Sequence, residues 1–148
     1  MSVPNESDFA LIKVGNGATP EVFATICGIE GVTINRVANT TDRNRRDCAK
    51  PGQPAVRRSK TTSKQMDITG TGGVDKADIE AFDDALGIVK NYKIELYQYD
   101  GTDTGDLMGT FAGAFNLTST NMTLDANGDS SGEITLASDG NWTWTAAV

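Results

Sequence analysis

The chain has 148 residues, 13 Lys and Arg against 20 Asp and Glu, a formal net charge of −7, and no histidine. That length is about one domain's worth of chain and supports a single core. The absence of imidazole removes the commonest general base at neutral pH and the usual zinc partner, while no apolar run nears the roughly 18 residues that a membrane helix needs.

MSVPNESDFALIKVG has no basic n-region or long apolar h-region of a signal peptide, which implies synthesis in the cytoplasm. The two cysteines, Cys27 and Cys48, read as reduced thiols there. FALIKV (9–14) is apolar on both strand faces apart from Lys13 and reads as a buried strand. After the turn cluster GNGAT, EVFATICGI and GVTINRV read as two further strands separated by a turn at Glu30-Gly31.

Hydrophobic periodicity then stops from about 38 to 63. Pro51, Gly52 and Pro54 break any regular element, so the interval is expected to be a long loop, mobile in the free subunit. It is also where the charge sits: the span from Arg36 to Lys64 carries +7, the rest of the chain −14. Arg43, Arg45, Arg46, Lys50, Arg57, Arg58 and Lys60 are its candidate contact residues.

KQMDITGTGG (64–73) is expected to be a strand. VDKADIEAFDDALG is the one predicted helix, with Asp75 as N-cap, Val74 and Ile79 at the spacing of a hydrophobic staple, and Gly87 as left-handed stop. Its stripe Ile79, Phe82, Leu86 is expected to face a sheet, leaving Glu80, Asp83 and Asp84 to solvent. NYKIELYQY alternates as a half-wet strand, and DGTDTGD is a polar turn.

From Leu107 to Leu124 the apolar parity is odd at Phe111, Phe115 and Leu117 but even at Met122 and Leu124, which predicts a bulge near Ser119. DANGDSSG is a hairpin turn, and EITLASDGNWTWTAA closes the count at about eight strands and one helix. The turn places Asp125, Asn127 and Asp129 like the start of a calcium loop. However, Ser130 stands where that loop needs glycine and Leu136 where it needs a bidentate glutamate. No metal or other cofactor is expected, and with neither a nucleophile elbow nor a phosphate loop the chain reads as no enzyme.

Clustered arginine is the footprint of phosphate binding, but the arm holds no aromatic residue for stacking, and the acidic remainder repels a duplex. The favoured reading pairs the basic arm with the acidic body of another copy, a heterologous contact of the kind that builds rings or filaments.

LIKVGNGATPEVFATICGIEGVTINR resembles the opening of the major tail (tail tube) proteins of long-tailed bacteriophages and gene transfer agents. MDITGTG, the acidic-capped helix, KIELY, GTFAGAF and EITLASDGNWTWTAA follow in that family's order, over nearly the whole chain. The arm is longer and richer in arginine than the family pattern.

The resemblance implies a mainly β, sandwich- or barrel-like tail-tube fold with one flanking helix and a long loop between rings, all in a single domain over 1–148. It further implies a structural virion protein, made in the host cytoplasm, whose hexameric rings stack into a hollow tube conducting DNA during ejection. Its partners would be itself, a tape-measure protein, and terminator and baseplate or distal tail proteins, with DNA only in passage and no membrane insertion. The loop residues named above would contact the next ring, and Asn116, Thr118, Thr120, Asp125 and Asp129 are candidates to line the bore. The alternatives are a secretion-system tube protein and a monomeric β domain that binds nucleic acid through the basic loop.

Overall fold

The computed structural model describes residues 6–26, 28–73 and 75–147. Seven strands and one helix run in the order β1 (Phe9–Gly15), β2 (Phe23–Thr25), β3 (Ile29–Arg45), β4 (Val56–Gly73), α1 (Lys76–Ala85), β5 (Val89–Gln98), β6 (Asp106–Thr123) and β7 (Ser131–Ala146). The strands form a single antiparallel sheet in the order β2-β1-β5-β6-β7-β4-β3. The expected architecture, mainly β with one flanking helix, is therefore what the chain adopts.

Period-two alternation puts one set of side chains on the same side of every central strand. Ile12, Met66, Ile68, Tyr92, Ile94, Phe115, Leu117, Ile134 and Leu136 are almost wholly buried there. A flat sheet leaves such a face wet, and this one curls until β1 lies against β3. Gly70 on β4 makes the approach possible: a Cβ there would meet Ile29, Ile12 and Ile134 at 3.0 to 3.3 Å. The chain also ties the two edges together, since β2 ends at Thr25 and β3 begins at Ile29.

Several details differ from the sequence reading. Glu30-Gly31 is a register shift inside β3 rather than a turn, so one long strand replaces the expected end of a short one. The count is seven strands among the described residues where about eight were expected, and one of the seven, Phe23–Thr25, is only a three-residue edge strand. The bulge near Ser119 is present as a register shift between Leu117 and Ser119.

The helix is capped as expected: the Asp75 carboxylate accepts from the Asp78 N–H at 3.0 Å, and Gly87 has φ 78°. Its roll differs. Asp78 and Ala85 are buried and Phe82 packs on the core, whereas Ile79 is 40% and Leu86 48% exposed. The stripe was ambiguous because a ten-residue helix with two apolar rows offers two inward directions. The staple partner Val74 lies outside the described residues.

Turning Asp78 inward buries a carboxylate whose Oδ2 has no hydrogen-bond partner among the described residues. Burial, then the neighbouring Asp75 charge, push its pKa above the ordinary 3.8, against the lowering effect of the Gly28 N–H. A raised folded-state pKa means that the folded chain is favoured by protonation and loses that stability as pH rises through the folded value. Asp78→Asn is accordingly expected to melt higher than the parent at pH 7, with the gap closing as pH falls toward 3.8, measured by thermal circular dichroism. Gly70→Val, which wedges β1 from β4, is expected to cost about 1–3 kcal/mol in urea unfolding.

Candidate assembly surfaces

β4 pairs with β7 only from Asp67 to Gly73, while it pairs with β3 along its whole length. The outer parts of these strands, residues 36–45 and 56–65, are exposed on both faces. They form a two-stranded ribbon that leaves the sheet, with residues 46–55 as its tip. The predicted loop is thus a hydrogen-bonded hairpin. Only the tip lacks strand structure, and even it is organised: the Lys50 N–H donates to the Asp47 carbonyl at 3.0 Å and the Ala49 N–H to Asp47 Oδ1 at 2.9 Å.

The root of the ribbon is fastened to the body. The Arg36 guanidinium lies 5.4 Å from the centre of the Phe111 ring, and Phe111 packs against Trp144 at 4.7 Å. The Met66 N–H donates to Ser138 Oγ at 3.0 Å. Beyond the root nothing among the described residues but the partner strand holds the ribbon, and an isolated two-stranded hairpin is at best marginal in water.

Register assigns the basic residues to faces. Arg43 sits opposite Arg58, Thr41 opposite Lys60 and Arg45 opposite Val56. These pairs share one face, where Thr41, Arg43, Arg45, Arg58 and Lys60 line a shallow concavity with Ser59. Like charges directly across a strand pair are destabilising, so this face is unsatisfied in the isolated subunit. On the other face Arg57 is paired with Asp42. Arg46 and Lys50 belong to the tip, as does Cys48, an exposed free thiol. Cys27 lies outside the described residues.

The side of the sheet away from the core mixes polar and aromatic groups, with Phe9 stacked on Tyr97 at 5.2 Å between ring centres. Lys13 bridges Glu95 at 2.8 Å, and Lys93 lies 4.2 Å from the centre of the Phe23 ring, so both lysines are engaged. Burial acts to raise the Glu95 pKa, but hydrogen bonds from Lys13 and Tyr97 and the charges of Lys13 and Lys93 outweigh it and hold the carboxyl below its usual range. Burial, the hydrogen bond to Glu95 and that carboxylate's charge push Tyr97 up to about 12.

The five candidate bore residues are not brought onto one surface. Asn116 is on the outer side, since its neighbours Phe115 and Leu117 face the core. Thr118 is the extra residue of the bulge, its hydroxyl donating to the Thr135 carbonyl at 3.3 Å. Thr120, beyond the bulge, has crossed to the helix side and lines a cleft with Ile79, Phe82 and Met122. Asp125 and Asp129 are in the β6–β7 turn, where Asp125 Oδ1 accepts from the Asn127 N–H at 2.9 Å.

The sequence reading missed one surface. Ile79, Leu86 and Met122 (50% exposed) form an apolar groove between α1 and the outer end of β6, with Glu80 and Asp83 beside it. The rotated helix and the parity switch create it together. The parity switch is the signal that could have revealed it: with one extra residue between, Met122 lies on the same side of the sheet as Phe115 and Leu117, the side that carries α1.

A family model described as phage tail tube protein matches residues 6–143. A search of curated proteins returned no match. Among solved structures, the tail of an empty gene transfer agent particle, solved with C6 symmetry, is 26% identical with TM-score 0.65, covering 97% of this chain and 100% of that one. A chain in the six-fold symmetrised baseplate of the anti-feeding prophage gives TM-score 0.69 at 15% identity over 99% and 98% of the two chains. The SPP1 tail tube gives 0.60 at 14% over 98% and 81%. At such low identity the last two speak for the fold alone.

Because the ribbon is anchored at one end only, amide exchange in the free subunit is expected to form a gradient. Protection should be strong at 36–39 and 63–66, falling to almost none near the tip, and uniform once copies assemble. Hydrogen-exchange mass spectrometry on both forms measures it.

Proposed function

The chain belongs to the phage tail tube protein family, and from that premise we propose that its copies close into six-membered rings that stack into a hollow tube through which DNA passes. Its role is structural, in a virion tail. Each copy acts as one domain spanning residues 1–148, made in the host cytoplasm. The observation that carries the stacked arrangement is the ribbon: a structured, basic arm projecting from an acidic body, with more charge than it can satisfy internally. Arg43, Arg45, Arg58 and Lys60 on its open face, and Arg46 and Lys50 at its tip, meet carboxylates of the next ring. Arg57 is already committed to Asp42.

The side of the sheet that bears Lys13 and Glu95 faces the bore, because the other side is occupied by the core and the helix. Asn116 is the member of the original five that lies on it. Its lysines are held by Glu95 and Phe23, so passing phosphates meet few free cations and slide rather than stick. Six-fold symmetry is supported by the gene transfer agent tail, and partners at the tube ends by the family's occurrence in whole tails. A tape-measure protein occupying the bore before DNA is part of the same reading.

Concentrated protein is expected to form hollow tubes visible by negative stain; persistence as monomers under all assembly conditions contradicts the proposal. Exposed ion pairs contribute about 0–1 kcal/mol each and are screened over about 8 Å at physiological ionic strength. Molar salt is therefore expected to slow tube growth severalfold while leaving finished tubes intact for hours, followed by light scattering. Rapid dissolution would instead show that ion pairs, and not apolar and backbone contacts, hold the tube.

A further inference from the structure

We propose that the groove between α1 and the outer end of β6 is the receptor for the ribbon of a second copy, so that Ile79, Leu86, Met122, Glu80 and Asp83 receive Val56, Arg43 and Arg58 of the adjacent ring. This rests on the tube reading above and specifies which surface the arm meets.

Topology supplies the first argument. β4 begins at the ribbon tip with Val56 and ends at Gly73, just before the N-cap of α1. The two features are thus separated by about 55 Å of strand, and no copy can fill its own groove with its own ribbon. A protruding element at one end and a recess at the other is a heterologous pair, which propagates along an axis instead of closing as a dimer.

Chemistry supplies the second. The groove has an apolar floor, with Ile79 40%, Leu86 48% and Met122 50% exposed, and Glu80 and Asp83 as its exposed acids; Lys76 stands at its end. The open ribbon face has the matching composition. Val56 is 59% exposed, Arg45 lies across from it, and Arg43 and Arg58 follow with no carboxylate on that face. Docking would cover the apolar floor, and the acids would relieve the repulsion between Arg43 and Arg58. The basic face and the groove are each incomplete in the isolated subunit, and each has what the other lacks.

The test is charge exchange within one chain, since every copy carries both surfaces. Arg43→Glu with Arg58→Glu, and separately Glu80→Lys with Asp83→Lys, are each expected to raise the critical concentration for tube growth about tenfold or more, because like charges then meet across the contact. All four residues are exposed, so thermal melting of the subunit should hardly change. Combining the four substitutions is expected to bring the critical concentration back to within about threefold of the parent, the coupling expected of contacting pairs.

A combined variant that folds yet assembles no better than either pair overturns the proposal. So does a parent ribbon that retains duplex DNA in a gel shift while Arg43→Glu with Arg58→Glu abolishes retention without altering tube growth. As an independent readout, V56C with M122C, in chains where Cys48 is replaced by Ser, should give a ladder of disulfide-linked oligomers when tubes are oxidised. Tubes that assemble and give no ladder contradict the contact. A parent chain that forms no tubes removes the premise itself, an outcome distinct from failed rescue.

Discussion

The repulsion between Arg43 and Arg58, facing each other across a ribbon with no core beneath it, is the interaction from which the rest of the structure takes its meaning. In the body of the sheet, paired strands are held by a continuous apolar layer from Ile12 through Leu136. Past Arg36 and Met66 that layer ends, but the backbone ladder continues to Arg45 and Val56. A hairpin extended this far without burial, and with cations opposed, has little stability of its own. On the proposed reading such an element is completed elsewhere, by carboxylates of another copy.

The remainder of the fold divides its surfaces to suit that requirement. One side of the sheet is consumed by the core and α1. The other presents engaged lysines, a carboxylate held below its usual pKa range and the Phe9–Tyr97 stack. Curling, allowed by the missing side chain at Gly70, gives the body a compact shape from which the ribbon can project. In the proposed tube, assembly, passage and subunit stability therefore fall on different parts of one sheet, set by side-chain parity and by the few places where it shifts.

Much of this was readable in the residues, and what was not has a physical reason. Strand alternation identified β5 and β7 because each has a face to bury, β1 was found from its apolar run although only one of its faces is deeply buried, and the parity change near Ser119 located its bulge correctly. The ribbon escaped for the same reason inverted: a strand pair with both faces wet has no alternation to read. Its remaining signal was the β-branched content of Thr40, Thr41, Val56, Thr61 and Thr62 on either side of Pro51, Gly52 and Pro54, which mark a tip and not a disordered interval. The helix was placed and capped correctly but rolled wrongly, since nothing local announces that Asp78 points inward. The bore candidates Asn116, Thr118 and Thr120 were grouped by period two across the bulge that the parity change announces; the extra residue, Thr118, sends Thr120 to the helix side.

A helical reconstruction of the assembled tube tests the central claim most directly. The account predicts density for residues 38–63 running as a hairpin from each subunit onto α1 and the end of β6 in the adjacent ring, with the bore lined by the Lys13–Glu95 side of the sheet. Density placing that hairpin inside the bore, or folded back on its own subunit, would contradict it.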